Sequence, residues 1–201
     1  MKKFITLLMS VMMLMLLTAC GSSDAANQSN TVNTQNDTIS KSNSKILVAY
    51  FSCTGNTKHL AESTATALSA DIFEIKPKVP YTSEDLDWHN ENSRSTIEMN
   101  DDNARPEISE AVSNFDQYET IIIAYPIWWS KAPKIIDTFV ESYDFSGKTV
   151  IPICTSGGSD IGSSGSYLKT LTSSSAKWLD GQRFNTNVSV DELKNWFNGK
   201  I

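Results

Sequence analysis

The chain has 201 residues, of which 40% are hydrophobic and 20% are charged, with 17 basic and 23 acidic side chains. The formal net charge of −6 and the lack of any basic run argue against nucleic-acid binding. Three cysteines, Cys20, Cys53 and Cys154, and two histidines in separate segments are too few for a disulfide scaffold or a metal cluster. We therefore expect no structural metal.

The first 19 residues have the pattern of an export signal. Two lysines precede an apolar run from Phe4 to Leu17, which is shorter than the ~20 residues that span a bilayer. The run ends in Leu17-Thr18-Ala19-Cys20, which resembles the lipobox of bacterial lipoproteins. That resemblance implies cleavage before Cys20 and acylation of Cys20, which would anchor the protein to a membrane surface. The alternative is an ordinary signal peptide with an incidental cysteine.

Residues 20–44 are predicted to be the lipidated cysteine and a disordered tether, because Ser, Asn, Thr, Gln and Asp dominate this segment. Residues 45–201 have the usual length of one compact domain. Removal of the signal takes away two lysines, which leaves 15 basic (17 − 2) and 23 acidic side chains and a charge of −8. This balance favours neutral or cationic small partners, or basic proteins.

Along residues 45–201, apolar runs of strand length alternate with helical patterns. The predicted strands are at 45–51, 71–76, 119–125, 149–154 and 176–184, the last with a turn at Asp180-Gly181. The predicted helices are at 57–69, 106–115, 133–143, 164–171 and 190–198. A further helix, capped by Thr82 with Asp85, is predicted within 77–105. This alternation predicts a doubly wound α/β fold: a five-stranded parallel sheet with helices on both faces. Ligands of such sheets bind beyond the carboxyl ends of the strands, where the strand order reverses.

The loop after the first strand is Ser52-Cys53-Thr54-Gly55-Asn56-Thr57. Gly55 permits a tight turn and the next helix begins there, so unpaired N–H groups and the helix dipole face the loop. Together with the hydroxyl groups of Ser52, Thr54 and Thr57, these N–H groups predict a site of neutral donors for a terminal monophosphate. A Walker lysine and the G-x-G-x-x-G pattern are both missing from the loop. The alternative is a helix-capping turn of small residues.

Two further loops follow strand ends. Tyr125-Pro126-Ile127-Trp128-Trp129 places adjacent indoles at the exit of a buried strand, where one ring can stack on a flat ligand. Alternatively, one ring covers the next helix and the other is exposed. Thr155-Ser156-Gly157-Gly158-Ser159 contains paired glycines that let the backbone approach a ligand edge closely, and its alternative is a flexible turn.

Together the stretches SCTGNT, YPIWWSKAP and TSGGSDIGSS resemble those of the flavodoxin-like FMN-binding proteins, particularly flavodoxin-type lipoproteins and related oxidoreductases. The resemblance covers roughly residues 45–201 and implies the strand order 2-1-3-4-5. It implies three groups of FMN contacts: Ser52, Cys53, Thr54, Gly55, Asn56 and Thr57 at the phosphate, Pro126, Ile127, Trp128 and Trp129 beside the isoalloxazine, and Thr155, Ser156, Gly157 and Gly158 at the pyrimidine edge. Cys53 departs from the commoner Gln, Arg or other polar residue of the family. Since the resemblance implies that the backbone N–H at this position binds the phosphate, the replacement should not abolish binding.

In that strand order the strands to which Cys53 and Cys154 belong are separated by a third strand, which places them roughly 9–10 Å apart. A disulfide requires Cα atoms within about 7 Å. We expect two free thiols.

These features predict an FMN-binding redox protein of the flavodoxin-like electron-transfer type, held at the extracytoplasmic face of a membrane. The flavin carries the electrons, so no side chain is nominated as catalytic. The expected partner is a redox protein or a small electron acceptor such as a quinone.

Three other functions were weighed. The first is an FMN-dependent NAD(P)H:quinone or dye oxidoreductase, in which the long 77–105 connection with Trp88 and His89 would form a lid over a substrate pocket rather than a packed surface excursion. The second is a non-enzymatic binding lipoprotein. A serine hydrolase is excluded, because Ile161 occupies the second glycine of G-x-S-x-G around Ser159 and both histidines precede that serine.

Overall fold

The structure, a computed structural model, describes residues 45–201. The predicted signal peptide (1–19), the lipidation site Cys20 and the rest of the predicted tether (21–44) lie outside the described residues. The elements are β1 (Ile46–Tyr50), α1 (Asn56–Leu68), β2 (Asp71–Glu74), α2 (Arg94–Asn100), a 3-10 helix (Phe115–Gln117), β3 (Thr120–Pro126), α3 (Lys134–Glu141), β4 (Thr149–Thr155), α4 (Ser164–Thr170), β5 (Lys177–Trp178), β6 (Gln182–Arg183) and α5 (Val190–Phe197). Over residues 45–201, no helix is both long and apolar enough to cross a bilayer.

The strands form one parallel sheet in the order β2-β1-β3-β4-β5, and β6 also pairs with β4. The predicted fold and strand order are confirmed. Tyr50 pairs with Ala124, and Ala124 pairs with Ile153, so β1, β3 and β4 lie side by side near their carboxyl ends. The strand order reverses at β1 and β3, and the loops that follow these strands therefore emerge at one edge of the sheet.

Successive side chains of the strands alternate between two apolar cores, one on each face of the sheet. One core joins the strands to α1 and α5 and includes Val48, Ile122, Leu60 and Leu193. The other joins them to α3 and α4 and includes Leu47, Ile121, Ile136 and Leu168. Since helices cover both faces, β1 and β3 are almost entirely apolar rather than alternating in polarity.

The outermost position of the sheet, next to β4, differs from the single strand predicted at 176–184. It holds two short strands, β5 and β6, both parallel to β4, so Asp180-Gly181 interrupts one strand rather than reversing the chain. The interruption lies beside Pro152 of β4, which has no N–H to donate. A Cβ added to Gly181 would lie 2.0 Å from the carbonyl oxygen of Pro152, so only glycine fits at this contact.

The segment between β2 and β3 also differs from its prediction. A helix within 77–105 is confirmed as α2, but it begins at Arg94 with Ser93 as its N-cap. The predicted Thr82–Asp85 capping bonds are present, at 2.9 and 3.2 Å, but they stabilise only a turn.

The predicted helix at 106–115 is wrong. Pro77 and Ile108 form an antiparallel bridge, and the Ser109 N–H donates to the Lys76 carbonyl at 2.8 Å. These bonds hold the backbone extended, so Pro106 precedes a bridge rather than a helix.

Lys134 and Asp137 form a buried ion pair on α3. Their side chains are 1% and 0% exposed, and Lys134 Nζ lies 3.3 Å from Asp137 Oδ2. Tyr167 of α4 donates to the same oxygen at 3.1 Å, and Arg105 Nη1 lies 3.8 Å from it. Desolvation raises the pKa of Asp137, and the Lys134 ammonium opposes that rise. The pair ties α3 to α4 and to the segment that contains Arg105.

Removal of the lysine should therefore destabilise the fold. We expect Lys134→Met to lower the free energy of unfolding by about 3 kcal/mol, because Asp137 would stay buried without its closest cation. The matched control is Lys131→Met, since Lys131 is 53% exposed and lies 3.8 Å from Asp102. That change should alter stability by less than about 1 kcal/mol. Urea denaturation measures both, and equal losses would contradict the assignment.

Candidate functional site

A cleft of about 790 Å³ lies at the edge of the sheet where β1, β3 and β4 end. Its volume is within the usual range for a small-molecule or cofactor site. The predicted site residues 52–54, 57, 126–129 and 156–158 all line this cleft, whereas Gly55, Asn56 and Thr155 do not. Leu86, Trp88, Ser95 and Ser159 complete the lining, and no lining residue carries a charge.

At one end of the cleft is the start of α1. Gly55 precedes this helix with φ 87°, in the left-handed region that glycine enters without strain. No side chain caps α1, α3 or α4, whereas Ser93 and Ser189 accept N–H bonds at the starts of α2 and α5. The first-turn N–H groups of α1 are therefore available to an anion.

Hydroxyl groups organise the loop that precedes α1. Ser52 Oγ accepts the N–H of Gly55 at 3.1 Å, so its own proton remains free to donate. Thr57 is 1% exposed, and its Oγ1 lies 2.8 Å from Thr155 Oγ1. This bond places Thr155 behind the first loop rather than in the cleft. The resulting set of neutral donors fits a phosphate that is bound without a cation.

The half-buried Trp128 forms an aromatic wall of the cleft. Its ring centroid lies 5.6 Å from that of Phe51 and 5.5 Å from that of Tyr81, both nearly perpendicular. Phe51 and Tyr81 also contact each other edge to face at 5.8 Å. This favourable geometry holds the indole in one orientation.

Trp129 lies in a tight turn of unusual backbone conformation. Trp129 and Ser130 have φ of 44° and 62°. Trp128 and Lys131 flank them and exchange two backbone hydrogen bonds of 2.9 and 2.8 Å. This is a two-residue turn that normally selects Asn and Gly, and the left-handed conformation costs about 1–2 kcal/mol per residue of other types. The turn holds the Trp129 ring at the cleft, 43% exposed.

The third loop is closed by the Ser156 hydroxyl, which donates to the Ser159 carbonyl and accepts the Gly158 N–H at 3.2 Å. A Cβ at Gly157 or Gly158 would meet no atom within 4 Å. The two glycines therefore leave open space beside the backbone. A flat ligand can approach their N–H and C=O groups directly.

The connection between β2 and β3 supplies Leu86, Trp88 and Ser95 to the cleft. Its base is packed: the Arg94 guanidinium lies 4.0 Å from the Tyr81 ring centroid, bonds Glu98 at 2.7 Å and donates to the Val79 carbonyl at 2.8 Å. The base of this connection is therefore packed, and its tip lines the cleft.

Leu86 and Ser95 were not foreseen from the sequence. No motif marks either residue, and only the unusual length of the connection pointed to a contribution to a site.

Cys53 and Cys154 are free thiols, as predicted. Desolvation raises the pKa of the buried Cys154 thiol to about 12. It also raises the pKa of the Cys53 thiol, although that residue is exposed, and the Arg94 cation partly opposes the rise. Both thiols are therefore protonated at neutral pH and are poor nucleophiles. Among residues 45–201, no group of three or more His, Cys, Asp or Glu is arranged to hold a metal ion.

Residues 45–200 match a family model described as flavodoxin. No curated protein matches the chain. A protein from Bacteroides eggerthii DSM 20697, described as a candidate flavoprotein, is 45% identical with a TM-score of 0.73, covering 77% of this chain and 96% of that one. A protein of the same description from Bacteroides uniformis ATCC 8492 is 44% identical with a TM-score of 0.73, covering 77% of this chain and 98% of that one.

A flavoprotein in complex with FMN from Lactobacillus acidophilus NCFM is 21% identical with a TM-score of 0.55, covering 76% of this chain and 98% of that one. At this identity the likeness concerns the fold. The match of the family model over residues 45–200 agrees with the strand order and the position of the cleft. The chain belongs to the flavodoxin family.

Proposed function

We propose that residues 45–201 form an FMN-binding redox domain that transfers electrons. The observation that carries this proposal is the uncharged cleft, with the uncapped N-terminus of α1 at one end and the Trp128 wall beside it. Membership of the flavodoxin family supports FMN as the cofactor. The Lactobacillus structure, in complex with FMN, has the same fold.

The residues present fit this cofactor. The N–H groups of the first turn of α1 and the hydroxyls of Ser52, Thr54 and Thr57 would bind the phosphate. Trp128 and Trp129 would border the ring system, and the backbone of 156–158 would bind its polar edge. FMN supplies the electron-transfer chemistry when bound, and the protein binds it, orients it and excludes water. No cleft residue is charged, so we assign no acid or base.

A second candidate function is an FMN-dependent oxidoreductase that acts on a quinone or a dye. It is favoured by the tip of the connection between β2 and β3, since Leu86 and Trp88 extend the cleft beyond the three predicted flavin loops. An oxidoreductase oxidises NAD(P)H with a small acceptor at useful rates, whereas an electron carrier needs a partner protein. Turnover assays with and without such a partner distinguish the two.

We also propose that the protein is anchored at the extracytoplasmic face of a membrane through Cys20. Support comes from the basic start, the apolar run and the Leu17-Thr18-Ala19-Cys20 stretch. The polar residues 21–44 have the composition of a flexible tether between the lipid and the domain.

The cofactor assignment predicts that purified protein incubated with FMN stays yellow after gel filtration. Riboflavin, which lacks the phosphate, should bind about tenfold more weakly or worse, a difference of about 1.4 kcal/mol. Since no cleft residue is charged, added salt should not weaken FMN binding by more than about twofold. A colourless protein would contradict the proposal and favour a non-enzymatic binding lipoprotein.

The hydroxyl pair behind the first loop predicts a specific loss of affinity. Thr57→Val should weaken FMN binding about tenfold, because it removes a phosphate donor and leaves the buried Thr155 hydroxyl without its partner. Thr66→Val is the matched control on the same helix, where the exposed hydroxyl bonds only the Glu62 carbonyl. Fluorescence titration of FMN measures both variants. Similar losses in the two would refute the role given to Thr57.

The anchor predicts that Cys20→Ala moves the full-length protein from the membrane fraction to the soluble fraction and abolishes incorporation of labelled fatty acid. Without the thiol no acyl chain can be attached, and membrane affinity falls with the loss of buried methylene groups. Cys53→Ala is the control and should leave both readouts unchanged. Membrane-bound, labelled Cys20→Ala protein would rule out this anchor.

A further inference from the structure

A partly buried ion pair on α2 lies next to the uncharged cleft. Arg94 is the first residue of α2, and the following residue, Ser95, lines the cleft. The Arg94 side chain is 24% exposed and that of its partner Glu98 is 14% exposed. A helix gains from an i,i+4 ion pair without burying it, whereas desolvation of two charges costs free energy. The burial of this pair therefore indicates a role outside α2.

Arg94, Glu98 and Tyr81 form a closed cluster. One oxygen of the Glu98 carboxylate accepts the Arg94 Nε–H at 2.7 Å, and the other accepts the Tyr81 hydroxyl. The Arg94 guanidinium also lies over the Tyr81 ring, 4.0 Å from its centroid. Burial and the bond to Glu98 both raise the pKa of the Tyr81 hydroxyl, so this group remains a donor at neutral pH. The tyrosine is thus held by its ring face and by its hydroxyl.

A further bond fixes the backbone next to this tyrosine. Arg94 Nη1 donates to the Val79 carbonyl at 2.8 Å. Pro80 joins Val79 to Tyr81, and its fixed φ leaves this short segment little freedom. A planar, forked guanidinium can make these contacts together, whereas a lysine ammonium lacks both the flat face and the fork. Arg94 therefore fixes both the side chain and the main chain at Tyr81.

Tyr81 supports the aromatic wall of the cleft. Its ring meets the Trp128 ring nearly perpendicularly, with centroids 5.5 Å apart, and the Phe51 ring with centroids 5.8 Å apart. Phe51 is 1% exposed, and its N–H donates to the Ala124 carbonyl at 3.0 Å, so the sheet holds this ring. Tyr81 instead belongs to the connection between β2 and β3. Its support of Trp128 therefore depends on the contacts that Arg94 and Glu98 make.

We propose that Arg94 is a positioning residue for the ring system of the cofactor, acting through Tyr81 on Trp128. The inference rests on the proposed function, because it takes Trp128 as a border of the bound isoalloxazine. Arg94 does not itself line the cleft. It holds the indole in one orientation before the ligand arrives, and such preorganisation lowers the cost of binding.

The charge of Arg94 is a weaker explanation for a role in binding. Its cation opposes the rise in the pKa of the Cys53 thiol in the first loop, but Glu98 acts on the same thiol in the opposite sense. The two charges therefore partly cancel at the phosphate end of the cleft. An effect of Arg94 on binding should consequently arise from contacts at the ring end.

Two flavins separate the two ends of the cleft, since riboflavin has the ring system and lacks the phosphate. Arg94→Met should weaken binding of FMN and of riboflavin by the same factor, about fivefold. Arg94→Lys should weaken both about threefold, because it keeps the charge but not the flat face, and it provides a second variant if the first does not fold. Flavin fluorescence titration gives the dissociation constants. A loss confined to FMN and restored in Arg94→Lys would overturn the inference, since it would assign the effect to charge.

The route through Trp128 is tested by a double-mutant cycle. Trp128→Ala removes the indole on which Arg94 acts. In that background Arg94→Met should weaken riboflavin binding by less than about twofold more, because no ring remains to be positioned. Fully additive losses would overturn the inference, since they would show that Arg94 acts by another route.

The matched control is Arg105→Met. Arg105 belongs to the same connection, is 29% exposed, bonds Glu141 at 2.7 and 2.8 Å and does not line the cleft. This change should alter the affinity for either flavin by less than about twofold, because Arg105 has no contact with the aromatic wall. A loss equal to that in Arg94→Met would show that any disturbance of the connection weakens binding, and would overturn the specific role of Arg94.

Near-ultraviolet circular dichroism of the flavin-free protein reports the order of the indole directly. The difference between the unaltered protein and Trp128→Phe isolates the Trp128 band, and the same difference in the Arg94→Met background should be smaller. An unchanged band overturns the inference and leaves the proposed function intact. Failure of the unaltered protein to bind either flavin overturns the proposed function instead, and the flavin-free spectra then decide whether Arg94 orders Trp128.

Discussion

The site depends on backbone N–H groups at the start of α1 that no side chain of the protein caps. The parallel register of β1, β3 and β4 places these groups beside the loops that follow the other two strands. The Thr57–Thr155 bond then joins the first loop to the end of β4. Because the cleft has no charged lining residue, the partial charges of helix and hydroxyl dipoles are what remains to bind an anion there. Such dipoles act over a short range, so the alignment of the strands matters more than the overall charge of the chain.

Much of this arrangement could be predicted from local sequence. The apolar runs of β1 and β3 indicate strands covered on both faces, and the change to small hydroxyl residues after Phe51 marks where the first strand ends. Once strand and helix alternate, the carboxyl edge of the sheet is the expected place for a ligand. All but three of the predicted contact residues line the cleft, because a loop that follows a parallel strand has little freedom to lie elsewhere.

The sequence was less informative where structure depends on distant contacts. The extended backbone at Ile108 is set by its bridge to Pro77, and no local signal of residues 106–115 encodes that bridge. The left-handed pair Trp129-Ser130 contradicts local preference, so its turn was not foreseen; backbone strain of this kind is typical of functional sites. Leu86 and Ser95 reach the cleft only because Arg94 and Tyr81 pack the base of their segment against Phe51 and Trp128.

The interruption between β5 and β6, beside Pro152, affects whether copies of the protein can associate through their sheets. A long, straight outer strand offers a row of unpaired amide groups on which another chain can add its own strand, and this is a common route to aggregation. Here the outer position beyond β4 is divided into two segments of two residues each, Lys177–Trp178 and Gln182–Arg183. Neither segment is long enough to template a foreign strand. The proline that prevents a regular strand at this edge thus also protects this edge, though not the β2 edge, against association with another chain.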